Sequence, residues 1–499
     1  MAYSIAKSIF KNTAALMSAQ VITWSSGFVL LLILPRYLGS AGYGKLYIAM
    51  SMQTILQFLI DYGGTTYIPK EVARDRGRSS DLVSHSIILR IGLWGISVVI
   101  AMTWCMIAKY PISVILLVMV LAISNLWGNI CALLRSCFQG FEEMKYPSIA
   151  SVVERSFLML TTVPLLLLGA RETAVVTMMA ISTFISFAIH AKYVTRLIRI
   201  KLSIHLETAR RLLREGLPYF LSSLFGVVYY RIDAIMLSVM TPEKVVGWYG
   251  AAYRFFDILM FLPSIYATTL FPILSKLSKS EFSSMKNTST KSLEILLVAG
   301  IPIAVGLIFF AKQIVQILYG LPEFGPSIAV LQIFSFGMLL VYVDFVLGST
   351  AMALDKQKQW ALVAFGAIFV NMASNYYLIP YFQTSFGNGG IGSAIATDLT
   401  EFFIMISAIY LVPKSLFTKR LFLVAAKGFF SGIAMGVTIW GGELLGVPWI
   451  ILTFIGAVTY VTSLVVLTTF EPSEVAYVLN AISVRNFKRI LLERKGAGA

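Results

Sequence analysis

The chain has 499 residues, a formal net charge of +16, 58% hydrophobic and only 13% charged residues, and a mean hydropathy of +0.81. A soluble core could not hide that much apolar side chain, and apolar runs of about twenty residues, each long enough to cross about 30 Å of hydrocarbon, recur from end to end. In a soluble protein the basic excess would suggest nucleic acid; in a membrane protein it becomes a question of which loops are basic, and no nucleic-acid partner is expected.

In chain order the pattern predicts an all-α integral membrane protein with about fourteen transmembrane helices. They fall near 12–34, 42–68, 83–108, 112–138, 147–169, 173–199, 216–240, 245–272, 291–311, 326–353, 359–381, 388–411, 421–445 and 448–470. The first is a poor signal peptide: it is long, ends in LPRYLG and runs straight into another span, so it is expected to stay. Alternate loops, from Lys7 and Lys11 through Lys70–Arg78, Arg135–Lys145, Lys192–Arg214, Lys276–Lys291, Lys356–Lys358 and Lys414–Arg420 to the 471–499 tail, hold about 29 of the 40 Lys and Arg; the other side holds about six. The positive-inside rule then puts both termini in the cytoplasm, in agreement with an even number of spans, and an inner (plasma) membrane location follows.

The longest polar interruption, AKYVTRLIRIKLSIHLETARRLLREG, interleaves Leu197, Ile200, Ile204 and Leu212 with five arginines and reads as a basic amphipathic connector on the cytoplasmic surface. The expected division is a six-helix lobe over 1–190, the connector over 191–215, a second six-helix lobe over 216–411, an appended helix pair over 412–470 and a basic cytoplasmic tail over 471–499. Weak internal similarity supports two parallel repeats: LGSAGYGKLYIA and PEKVVGWYGAAY are both Gly-aromatic turns between a first and a second helix. Gly428, Gly432 and Gly436 repeat at a spacing that lets helices touch, and are expected to join spans thirteen and fourteen. Pro164, Pro263 and Pro302 are expected kinks.

No metal or enzyme signature appears. Cys105, Cys131 and Cys137 lie in spans, and His85, His190 and His205 lack metal-ligand spacing. There is no H-E-x-x-H, P-loop or D-x-D, no large outer loop, and no cofactor is expected. Without a nucleotide site, work must draw on an ion gradient or on the gradient of the cargo.

The runs LPRYLGSAGYGKLYIA, FLIDYGGTTYIPKEVAR, FQGFEEMKYP, YYRIDAIMLSVMTPEKVVGWYGAAYRFFDILMFLP with TTLFPILSKLS, and YGLPEFGPSIAVLQI occur in this order over about residues 10–470. Together they resemble the polysaccharide-biosynthesis (Wzx-type) flippases, in the superfamily of the multidrug and toxin extruders and the peptidoglycan-precursor flippase. The resemblance implies two six-helix lobes in a V around a central cavity, working by alternating access. The implied cargo is a polyprenyl-phosphate or -pyrophosphate-linked oligosaccharide carried from the cytoplasmic to the outer leaflet. Membrane lipids, and glycan-assembly proteins, are the implied partners.

That task needs a cationic, polar interior, and charged residues at bilayer depth are its candidates, since such charge usually faces a bundle interior or a water-filled path. At 1.5 Å per residue Asp233 and Arg254 lie about 12–14 Å from the outer surface, and Arg231 and Asp257 about 15–18 Å, so two cross-helix pairs are expected. The pairs either lock two helices or turn their arginines to phosphate, which guanidinium binds bidentately. Arg155, about 12 Å into span five, is a third candidate for the substrate pathway. Arg36, on the outer face with Lys45, is a fourth, although snorkelling also explains it. Asp61 either anchors the turn DYGG or joins the pathway. Asp344, Asp398 and Glu401 are membrane-embedded acids without an obvious local base, which makes them candidates for proton or sodium coupling. The main competing function is a multidrug or cation antiporter of the same fold, which would favour an anionic cavity. An integral-membrane glycan polymerase would need a catalytic outer loop that the sequence lacks.

Overall fold

The computed structural model describes residues 2–200 and 206–469; the 471–499 tail and residues 201–205, with His205, lie outside the described residues. Among the described residues there are helices and no strands. The long helices are α1 (Ala2–Asp61), α2 (Gly64–Arg74), α3 (Ser79–Ile107), α4 (Ile112–Gly140), α5 (Lys145–Leu167), α6 (Glu172–Val194), α7 (Leu206–Met240), α8 (Glu243–Leu259), α9 (Phe261–Ser280) and α10 (Phe282–Leu318). A single turn, α11 (Leu321–Phe324), precedes α12 (Ser327–Ala353), α13 (Gln357–Phe386), α14 (Gly389–Leu411), α15 (Lys419–Leu444) and α16 (Trp449–Val466).

Twelve helical segments of the described residues are long and apolar enough to cross a membrane. Two features separate that number from fourteen. The first two spans are one run, Gln20–Arg74, bent at Gly39, whose φ of 67° and ψ of 175° only glycine adopts freely. The seventh, α7, is not among the twelve: it is 35 residues long and opens on the polar ETARRLLREG, so the second half of the expected connector is continuous with it.

Helices α1 and α3–α6 form one lobe, α7–α10 and α12–α14 the other, and α15 and α16 pack on α10. The lobes meet along α1 against α7 and α8. A Cβ on Gly44 would overlap the carbonyl oxygen of Glu243, and one on Gly247 that of Ser40, so the two backbones touch. Beside this seam the Glu323 carboxylate accepts from the Ser40 hydroxyl (2.9 Å) and N–H (3.2 Å), Trp248 Nε1 donates to the Glu323 carbonyl at 2.8 Å, and the Tyr110 and Ser238 hydroxyls are bonded. The lobes are therefore shut at the end opposite the basic loops.

The glycine repeat on α15 does not face α16. Positions equivalent to Cβ at Gly428, Gly432 and Gly436 come against Ile301, Val305 and Phe309 of α10. The α15–α16 contact uses other glycines, Gly442 against Leu452 and Gly456 against Ile439. Spacing showed that a helix would approach that stripe but carried no information on which.

Prolines break the ladder where hydroxyls wait. Pro263 follows the α8–α9 break at Met260, and the carbonyl four residues before it, Leu259, accepts from the Tyr342 hydroxyl at 3.1 Å. Pro302 frees the Val298 carbonyl, which accepts from Tyr460 of α16 at 2.8 Å. In hydrocarbon no water could take that place. Tyr460→Phe should therefore destabilise the protein by about 1–3 kcal/mol. The check is thermal denaturation in detergent, with Tyr410→Phe, exposed at 77%, expected to leave the midpoint unchanged.

Candidate functional site

Arg231 and Asp233 are two residues apart on α7, so their side chains leave it about 200° apart. Arg231 and its neighbour Asp257 of α8 approach at 3.7 Å, with 19% and 25% of their side chains exposed. Asp233 points the other way, into its own lobe, and does not meet Arg254. Its carboxylate accepts from Asn375 of α13 (2.6 Å), Thr397 of α14 (3.0 Å) and Tyr249 of α8 (3.1 Å). Of the two expected pairs one forms. Depth along the helices was matched correctly, but depth says nothing about azimuth, and azimuth decides the second pair.

Arg254, left without a carboxylate partner among the described residues, turns with Arg231 into a cavity between the lobes of about 110 Å³. From the first lobe come Ser51 and Thr54 of α1 and Arg155 of α5; Tyr43 and Tyr47 close the side toward α8. Three arginines from both lobes and no acid line it; Asp257 stands behind Arg231, which also lies 5.7 Å from the Tyr253 ring centroid. The volume holds a few waters, each needing about 30 Å³, and no saccharide. Arg36 is exposed on α1, outside this cavity, and Lys45 faces Glu172 at 3.8 Å.

Asp61 anchors the turn after α1. It accepts from the Thr65 N–H at 3.2 Å and pairs with Arg90 of α3, a side chain with no exposed surface that also donates to the Asn129 carbonyl. Sequence reading missed Arg90; the signal was available, a lone arginine in the middle of span three opposite a lone aspartate at the end of span two.

The three lone acids are all buried in the second lobe. Asp344 and Glu401 line one cavity of about 420 Å³ with Tyr229, Ser264, Thr268 and Trp360, and the Tyr229 hydroxyl donates to Glu401. Asp344 lies beside Glu401, and neither of its oxygens has a hydrogen-bond donor. Asp398 packs against Gly337 of α12, with Oδ1 unpartnered. Asn371 and Asn375, which extend the polar cluster at Asp233, were also missed, although polar residues four apart in an apolar span mark a buried polar face.

A family model described as polysaccharide biosynthesis protein matches residues 9–278. The chain belongs to that family. A second model, MatE, matches residues 218–377. The chain is 27% identical over 254 residues to a probable low-salt glycan biosynthesis flippase, Agl15, of Haloferax volcanii, covering 50% of this chain and 52% of that one. It is 25% identical over 249 residues to a capsular polysaccharide biosynthesis protein, CapF, of Staphylococcus aureus, covering 49% and 59%. The chain thus spans about half the length of the curated relatives it matches. In fold it is similar to the lipid II flippase MurJ in an inward closed conformation, with a TM-score of 0.70, 14% identity, and coverage of 91% of this chain and 98% of that one. An inward-facing multidrug resistance MATE transporter follows at 0.63, 16%, 78% and 94%. The polysaccharide family member described here is a multi-pass membrane protein with the two-lobe architecture of that superfamily.

The geometry separates two kinds of arginine. Arg231→Ala leaves Asp257 half-buried and unpaired, and should cost on the order of 1–3 kcal/mol, less than a fully buried pair because both side chains keep some solvent. Asp257→Asn in the same chain should restore most of the loss. Arg254→Ala should leave the thermal midpoint within about 0.5 kcal/mol of the parent. Denaturation of the four purified proteins checks this; equal destabilisation by both arginine changes would show that Arg254 is a structural pair member too.

Proposed function

We propose that the chain is a flippase that carries a polyprenyl-phosphate- or polyprenyl-pyrophosphate-linked oligosaccharide from the cytoplasmic to the outer leaflet by alternating access of its lobes. One observation carries the reading: the cavity between the lobes is lined by Arg155, Arg231 and Arg254 and by no carboxylate. Guanidinium groups free of acids recognise phosphate oxygens in pairs, and an antiporter of cations would need the opposite sign there. The glycan-flippase names of the relatives agree. In this reading the basic loops and both termini lie in the cytoplasm, the membrane is the plasma (inner) membrane, and the shut seam at Ser40, Gly44 and Gly247 is the outer gate. Arg231 and Arg254, with Arg155 across the cavity, take the phosphate; Arg36 stands outside, at the exit.

Coupling to a proton or sodium gradient is proposed for Asp344 and Glu401. Two adjacent carboxylates without a base repel each other unless a proton or cation lies between them, and their cavity is distinct from the arginine-lined one. Asp398 and the Asp233 cluster are in the same lobe and share its polar interior.

The test is translocation of a lipid-linked oligosaccharide in reconstituted vesicles. Arg254→Ala should slow it about tenfold or more, since losing a charge-assisted phosphate contact removes at least about 1.4 kcal/mol. Glu401→Gln should abolish the response to an imposed ion gradient while keeping the basal rate. Unchanged flipping by Arg254→Ala removes the phosphate role, and a parent that ignores every gradient removes the coupling.

A further inference from the structure

A second arginine-bearing site opens at the basic end of the same seam. Two adjoining apolar cavities, of about 550 and 350 Å³, run between α3 and the first turns of α7 and share Leu93 and Leu213. The larger is closed by Leu59 and Tyr62 at the end of α1 and by Phe220, and Arg210 and Arg214 stand at its rim. Both arginines are exposed, and neither forms an ion pair among the described residues. Glu207 and Glu215 lie on the same turns but line neither cavity, and Arg211 turns away to Tyr67, near Glu71. The smaller cavity continues past Gly92, where a Cβ would meet nothing within 4 Å, to Ile96, which is 54% exposed on the outer face of α3.

Helix geometry joins this groove to the central cavity. On α7, Leu213 and Phe220 fall within about 20° of Arg231, at 100° per residue. Phe220 stands about 17 Å below Arg231 along the axis. On α1, Leu59 and Tyr62 follow Ser51 by about two to three turns. The groove and the arginine-lined cavity are thus two stations on one face of the interface between the lobes. At the lower station cationic heads stand over an apolar trough that opens to the bilayer core, which is the complement of an anionic head on a long hydrocarbon chain.

We infer that this groove is the loading site of the lipid-linked substrate. Arg210 and Arg214 hold its phosphate or pyrophosphate at the cytoplasmic surface, and the polyprenyl chain lies along Leu213, Leu93 and Ile96. The inference rests on the flippase reading, and adds a capture step before the phosphate rises to Arg231 and Arg254.

The full-length protein in phosphatidylcholine nanodiscs is labelled with a photoreactive polyprenyl diphosphate, and the labelled peptides are mapped. Wild type should be labelled within 85–96 and 209–220. Arg210→Gln with Arg214→Gln should lower that labelling roughly tenfold, the loss of two charge-assisted contacts, and Gly92→Trp, which fills the trough without touching the arginines, should lower it as well. Both variants must elute as the wild type does. Labelling confined to the central helices, or groove labelling that survives the double change, overturns the loading site and leaves the flippase reading standing. Groove labelling displaced equally well by phosphatidylglycerol marks a site for bilayer lipid and overturns it too. No labelling of wild type anywhere defeats both the flippase reading and this inference.

Discussion

Charge in hydrocarbon costs several kcal/mol per group unless it is paired, solvated or hydrogen-bonded, and this constraint explains most of the architecture. Arg90 meets it by pairing with Asp61 inside the first lobe. Asp233 meets it with three donors inside the second. Arg155, Arg231 and Arg254 share one carboxylate, Asp257, between them. Their remaining charge is tolerable only beside water or an anion, and the lobe interface is where the fold supplies that.

Backbone groups obey the same rule. Kinked helices suit lobes that must rock, yet each proline releases a carbonyl that lipid cannot satisfy. Tyr342 and Tyr460 answer two of these from neighbouring helices. The second shows why an appended pair is attached: α16 supplies a hydroxyl to α10, while the glycines of α15 let it lie close along the same helix. At the lobe seam glycine does different work, bringing α1 and α8 into backbone contact that can part without tearing interdigitated side chains.

Much of this was legible from residue order. Twenty-residue apolar runs fixed the helices because a membrane leaves few alternatives, and a Gly-Ser kink after LPRYLG correctly marked the first turn. The mid-membrane arginines stood out because nothing else explains charge there. What sequence could not supply was azimuth and partner choice. Asp233 and Arg254 match in depth and still face apart; Gly428, Gly432 and Gly436 announce a close contact without naming α10; Arg210 and Arg214 looked like ordinary surface charge until α3 was seen beside them. Each depends on packing between segments more than twenty residues apart, where periodicity carries no signal.

The central claim is that the interface between the lobes recognises an anion. It is tested most directly by comparing two cargoes in the same reconstituted vesicles: a polyprenyl-pyrophosphate-linked oligosaccharide, and the same oligosaccharide on the same polyprenyl chain through an uncharged linkage. The account predicts translocation of the first and none above protein-free vesicles for the second. Equal rates for both would contradict it, because arginines that ignore the loss of phosphate are not its binding site.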